Sequence, residues 1–207
     1  SFTTSQSWQN TACSYIDSAH PSTAYGYGSE SGYTGTVYAG TFGQGNYRSF
    51  LKMNKLPTLN KGDIIVSAYL NLHLYFDDFY DNMYIGAYHV KDEWKQSTVT
   101  WNNRPNFEAN IVDYTKLYKD VSKDSPWVEW NVTKSVKRWY DGDVNNGIML
   151  KPVDEAANAQ CASFYSSNFP ESSIPRPAFT IIYRNNKGLE DYWTSVSYTH
   201  LRAHETK

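Results

Sequence analysis

Residues Ile64–Phe76 read IIVSAYLNLHLYF. Val66, Ala68, Leu70, Leu72, Leu74 and Phe76 alternate with Ser67, Tyr69, Asn71, His73 and Tyr75. A helix would gather every third or fourth side chain on one face. This strict period of two therefore predicts a long strand with one apolar face and one polar, aromatic face. Shorter stretches of strand-like text surround it: Ser14–Ile16, Thr36–Ala39, Tyr47–Met53, Tyr84–Val90, Trp127–Val132, Gly147–Leu150, Ala162–Ser166 and Pro177–Arg184. Turn-forming clusters separate them, at His20–Gly35, Gly40–Asn46, Asn60–Asp63, Asp77–Asn82 and Asn102–Asn106. Many short strands at such intervals predict an all-β domain, a β-sandwich of the jelly-roll kind with mainly antiparallel strands. One short helix is expected, because Val132, Val136, Trp139 and Tyr140 share a helical face. Asn131 or Thr133 is placed to cap its start and Gly142 to end it. So short a helix needs tertiary support, and Trp139 is expected to plug one end of the sandwich.

Bulk composition narrows the function. The 207 residues include 16% aromatics, 18 of them Tyr, but only 19% charged residues, with a formal net charge of −2. This balance opposes disorder and gives no basic footprint for nucleic acid. No apolar run approaches the roughly 18 residues of a membrane span, so no membrane insertion is expected. Richness in Tyr, Ser, Thr, Asn and Gly suits an extracellular or cell-surface β domain. Cys13 and Cys161 are the 2 cysteines. A disulfide between them would close a very long loop and contribute about 4–5 kcal/mol through chain entropy. Two buried thiols packing as small apolar groups are the alternative.

Several segments together resemble the DNRLRE domain family, grouped with carbohydrate-binding module family 96. They are YIDSAHPSTAYG (Tyr15–Gly26), VYAGTFGQGNYRSFLKM (Val37–Met53), KGDIIVSAYLNLHLYF (Lys61–Phe76), QSTVTWNNRP (Gln96–Pro105), the Trp127–Lys151 segment WVEWNVTKSVKRWYDGDVNNGIMLK, SFYS (Ser163–Ser166) and the apolar strand Phe179–Tyr183. Gln96 stands where the family more usually has Asn or Glu. The resemblance implies a secreted, noncatalytic jelly roll at 13–184 after an N-terminal flank at 1–12. It further implies a polysaccharide ligand, acidic and alginate-like in characterised cases. NNKGLEDYWT (Asn185–Thr194) resembles the linker that follows such domains in bacterial RHS/YD-repeat surface proteins. The alternative reading is accordingly a structural or adhesion domain of such a protein, without sugar affinity of its own and continued by a larger chain. SVSYTHLRAHET (Ser195–Thr206) resembles a translated sequencing-library adapter, and 195–207 is set aside as an artefactual tail.

Sugars are held by flat rings beside hydrogen-bonding groups. Tyr69, His73 and Tyr75 should line the polar face of the long strand; Tyr25, Tyr27, Tyr33, Phe79 and Tyr80 lie in loops. Rings on the outer face of a sandwich also serve as simple cover. For an acidic sugar the donors are Arg48, Lys52, Lys91, Lys95 and Arg104, with Arg suited to a bidentate grip on carboxylate; ordinary surface charge or an internal salt bridge is the alternative, for Arg48 on its framework strand above all. Trp94 and Trp101 are read as packing residues at a sheet edge. No cofactor is expected; Asp77, Asp78 and Asp81 form a weak calcium candidate. Asp141, Asp143 and Asn145 imitate an EF-hand start, but Asn146 replaces the required Gly and Pro152 the required Glu. His20, His73 and His89 adjoin no Ser or Cys nucleophile motif, which argues against an enzyme.

Overall fold

The computed structural model describes residues 10–31, 35–76, 82–119, 126–156, 160–170, 175–185, 187–194 and 200–202. The strands are β1 (Thr11–Asp17), β2 (Thr36–Phe42), β3 (Gly45–Met53), β4 (Ile64–Phe76), β5 (Met83–His89), β6 (Asp113–Leu117), β7 (Trp127–Asn131), β8 (Ile148–Pro152), β9 (Cys161–Tyr165), β10 (Ala178–Arg184), β11 (Glu190–Thr194) and β12 (His200–Arg202). The helix α1 (Thr133–Tyr140) lies between β7 and β8. All pairings are antiparallel, and the sheet path runs β12-β11-β10-β4-β9-β2-β3-β8-β5-β6, with β1 on β3 and β7 on β4. The path curls around a main core, giving an all-β sandwich of jelly-roll type with a short helix, as the patterning predicts.

Two long strands hold the curl. Ser49 of β3 pairs with both Tyr15 and Leu150, and Tyr47 with both Asp17 and Gly40. β1 therefore occupies one edge of β3, while β2 and then β8 share the other. β4 pairs with β10, β7 and β9 along its length. Ala68, Leu70 and Leu72 of β4 are fully buried, together with Leu51, Phe164, Trp130 and Phe179 from its surroundings. Trp130 reaches across the sandwich, donating its Nε1–H to the Ile85 carbonyl at 2.9 Å. One expectation fails here. Val66 is 42% exposed, because β4 slips by a residue opposite Ile182 and Tyr183 and Ile65 turns inward instead. A second irregularity lies between Leu74 and Phe76, where Tyr75 has no Cα partner on β9 and points outward.

α1 sits where the periodicity places it, with Val136 and Trp139 buried. Its N-cap is Val132, which has no capping group. Asn131 one residue earlier serves instead, accepting the Thr133 N–H and hydroxyl at 3.1 and 2.6 Å. At the other end Gly142 takes φ +115° and the Asp143 N–H returns to the Arg138 carbonyl at 3.0 Å, a Schellman closure.

The sheet of β1, β3, β8 and β5 is buried on both faces. Ala12, Ile16, Phe50, Tyr88, Val90 and Met149 point away from the main core into a second one, roofed by Trp94 and Val99 with Trp101, Phe107 and Ile111 at its margin. QSTVTWNNRP is thus a roof, and its polar residues fasten it. Gln96 Oε1 accepts the Cys13 N–H, Asn102 donates to Ser22 Oγ, and Asn103 Oδ1 accepts the Thr100 N–H. Asn146 joins from the Asn-Asn-Gly segment, its carbonyl accepting Trp94 Nε1–H at 2.7 Å. Gly147 follows at φ +76°; a Cβ there would lie 2.3 Å from the Leu51 carbonyl oxygen.

Of the two alternatives for the cysteines, the structure has the unbridged one. Cys13 and Cys161 are not joined to each other and lie on strands that do not pair, β1 and β9. Cys13 is enclosed in the core beside Ser167, and burial pushes its thiol up to about 11. The stretch expected as a linker forms β11, paired with β10, and His200–Arg202 pairs with β11.

Candidate functional site

The outer side of β4 carries a row of partly exposed rings. Trp127 packs edge-on to His73 at 5.0 Å between centroids, His73 lies 5.7 Å from Tyr165, and Tyr165 meets Tyr75 at 5.1 Å and Phe169 at 5.0 Å. Trp127 is 47% and Tyr75 45% exposed. Strand geometry explains the row. Outward side chains recur every second residue, and the pair His73–Trp127 sets two of them side by side. Arg176, itself buried, donates to the Ser167 and Phe169 carbonyls and so fixes the backbone under the last ring.

Polar groups continue the same face. Asn71 pairs with Glu129 and Tyr69 with Asn131, one and two steps further along. His73 Nδ1 lies 2.8 Å from the Leu74 carbonyl. A carbonyl only accepts, so Nδ1 carries hydrogen and the neutral ring presents Nε2 as an acceptor. Flat apolar faces flanked by an imidazole acceptor, an amide and a carboxylate offer both kinds of contact a pyranose makes.

The basic candidates stand elsewhere, on the roofed side. Arg48 on the outer face of β3 grips Glu155 through two bonds of 3.0 and 2.8 Å and stacks over Trp101 at 4.6 Å. Arg104 stacks over Trp101 at 4.5 Å and donates to its carbonyl. Lys52 lies over Trp94 at 5.3 Å, and burial holds its ammonium below the usual lysine range. Lys151 lies over Tyr88 at 4.6 Å, also lowered by burial, and 3.9 Å from Glu155. Lys91 and Lys95 are exposed. Tyr69, His73 and Tyr75 therefore share one face, while Arg48 and Lys52 share another on a strand that does not pair with β4, with Arg104 reaching the same Trp101 ring as Arg48 from a loop. Asp77, Asp78, Asp81, Tyr33, Phe79 and Tyr80 lie outside the described residues. Among the described residues no cluster of three or more His, Cys, Asp or Glu is arranged to hold a metal.

A polar cleft of about 540 Å³ opens beside α1, lined by His89, Lys91, Glu108, Arg138, Asp143 and Asn146 among others. Arg138 bridges Glu108 at 2.6 and 2.8 Å and Asp143 at 2.7 Å. Its hydrogen bonds hold the Glu108 carboxyl below the usual range. His89 lies 2.9 Å from Ser135 Oγ and 3.9 Å from Asp143, a trio of residue types familiar from hydrolases. Its geometry is that of packing: Ser135 is 1% exposed under the helix, and the Asp143 carboxylate is engaged by Arg138.

Sequence reasoning missed Trp127, Tyr165 and Phe169. The signal was present for Trp127. Trp127 and Trp130 are three apart, and on one strand both cannot face the core.

Comparison with curated proteins finds no match. The sequence profile of carbohydrate-binding module family 96 matches residues 4–174. The structure extends that unit, since β10 pairs with β4 over seven positions and buries Phe179 and Ile181. With the profile covering most of its length, the chain belongs to carbohydrate-binding module family 96.

Proposed function

We propose that the protein is a noncatalytic extracellular module that holds a polysaccharide chain along the row Trp127, His73, Tyr165, Tyr75 and Phe169. The observation that carries this reading is the continuity of the row. Five rings lie at 5.0–6.1 Å spacings outside the core, and Trp127 and Tyr75 among them are 47% and 45% exposed. Exposed apolar area of this extent is unfavourable in water unless a partner covers it. A polymer covers it best, because successive sugars repeat the same contact along the row. Asn71, Glu129 and His73 Nε2 then meet hydroxyls at the ring edges.

Affinity electrophoresis tests the reading, with a neutral mannan, a neutral β-glucan and alginate as immobilised polymers. Retardation by at least one polymer, reduced about tenfold by Trp127→Ala, is the expected result. Unretarded migration in all of them overturns it. Membership of a larger RHS/YD-repeat surface chain rests on the resemblance of Asn185–Thr194. Tyr-Asp repeats encoded downstream are the observation that tests it.

A further inference from the structure

The rings of the row are flanked by acceptors, and that restricts what can lie on them. β7, β4 and β10 set their outward residues in ranks across the sheet. The rank next to Trp127 and His73 is Glu129, Asn71 and Ala178, and the one beyond is Asn131, Tyr69 and Thr180. Successive ranks lie about 7 Å apart. We infer that this face selects neutral, hydroxyl-rich polysaccharide and turns away uronate or sulfated polymers, with Glu129 as the residue that decides it. The selection rests on the row as the polymer-holding surface, and it runs against the acidic ligand implied by the family resemblance.

Three observations carry it. The first is charge. β4, β7, β9, β10 and residues 166–170 contain a single Lys or Arg, Arg184. It pairs with Ile64, at the far end of β4 from Asn71 and about 23 Å away along the strand. That exceeds twice the Debye length of about 8 Å at physiological salt. Glu129 is exposed and enters no ion pair among the described residues, whereas Glu108, Asp143 and Glu155 each face an arginine. The cations of the roofed face cannot compensate. Arg48 and Lys151 face Glu155, and β3 and β8 do not pair with β4.

The second is hydrogen-bond sense. His73 Nδ1 is committed to the Leu74 carbonyl, which leaves Nε2 to accept. The Glu129 carboxylate also only accepts. Two acceptors beside flat rings match hydroxyl donors; a carboxylate or sulfate brings another acceptor and a second negative charge. The third is placement. β7 is held on both sides. Asn71 of β4 pairs with Glu129, and from β6 Thr115 donates to the Glu129 carbonyl while the Asp113 carboxylate accepts the Asn131 N–H at 2.7 Å. The backbone beneath Glu129 is thereby fixed, and its side chain stays on the face that Trp127 occupies two residues away. A like charge set against a ligand costs binding without adding a contact, so one face can reject a polymer whose rings it would otherwise stack on.

The test runs the wild type, Glu129→Gln, Glu129→Lys, Trp127→Ala and the double variant Glu129→Lys/Trp127→Ala in gels holding neutral mannan, neutral β-glucan or alginate. A polymer-free gel corrects each mobility for net charge. The wild type is expected to be retarded by a neutral polymer and about tenfold less by alginate. Glu129→Lys should raise alginate retardation about tenfold at low salt, a gain that shrinks as salt rises and that the double variant loses. Glu129→Gln should fall between the two. Glu129 is exposed, so the melting curves of its variants should overlay the wild type. Wild-type retardation by alginate as strong as by either neutral polymer, and lost in Trp127→Ala, overturns the selection and leaves the row standing. A Glu129→Lys variant no better held by alginate than the wild type overturns the selection too, as does a gain that persists in the double variant. Unretarded migration of the wild type in all three gels overturns the row and the selection with it.

Discussion

The outer face of β1, β3, β8 and β5 and the outer face of β7, β4 and β9 are built from the same kinds of residue. On the first, Phe50, Tyr88 and Trp94 are closed under a roof, and the cations above them are met by Glu155 or spread over indole rings. On the second, Trp127 and Tyr75 keep about half of their surface in solvent. Aromatic content is therefore no mark of a binding face. Cover is what differs: the same ring stabilises the fold where a segment of the chain packs over it, and on the more open face it is the surface proposed for the polymer.

The comparison breaks most easily at Trp94. Trp94→Ala removes the centre of the roof and is expected to destabilise the protein by about 3–5 kcal/mol. Urea unfolding measures it, and a loss below about 1 kcal/mol would mean that the roof is ornamental to the fold. Glu155→Gln comes next. It leaves Arg48 and Lys151 facing each other across a half-buried gap, at an expected cost of about 2 kcal/mol, read from the thermal midpoint. Polymer binding should not change. The open face should behave in the opposite sense. Trp127→Ala and Tyr75→Ala are expected to weaken polymer binding by about tenfold and about threefold, respectively, while shifting the melting temperature by no more than about 2 °C. A large stability loss there would show that the row packs rather than binds.

The smallest effect concerns pH. Burial, then the nearby Arg138 guanidinium, hold the His89 imidazole below its ordinary value. The folded state therefore binds fewer protons than the unfolded chain between the two values. Stability is fully present above the ordinary imidazole value of about 6.5 and declines as pH falls towards the lower folded value. His89→Gln should flatten that slope in melts between pH 7.5 and 5.5. An unchanged slope would assign the acid sensitivity to other groups.

The long alternating run made β4 and the fold class legible, and the four apolar positions of α1 made the helix legible. β6 was not, because Asp113–Leu117 buries only Leu117 and its other residues read as loop. The bulge at Val66 was hidden for another reason: period two cannot announce where it will slip, since the slip is set by Ile182 and Tyr183 on a distant strand. The site was half legible. His73 and Tyr75 were found on the face the alternation gave them. Their neighbours Tyr165 and Phe169 arrive from β9 and the loop after it, which only the folded sheet brings near. An internal salt bridge for Arg48 was one of the alternatives, but its partner Glu155 and the Trp101 ring under Arg48 and Arg104 were not legible, because a sequence shows a charge but not what has already answered it.

The shared strands β2 and β4 also govern how the chain comes to be folded. Val37 of β2 waits for Phe164, and Leu70 of β4 for Phe179, each more than a hundred residues later. During synthesis the most apolar strand of the protein leaves the ribosome long before its partner exists. Folding of so non-local a topology is expected to be slow, on the order of milliseconds to seconds. Throughout that interval an unpaired, alternating β4 edge invites pairing with another copy of the chain. The yield of soluble protein should therefore depend more on the supply of the final strands than on any residue that touches a sugar.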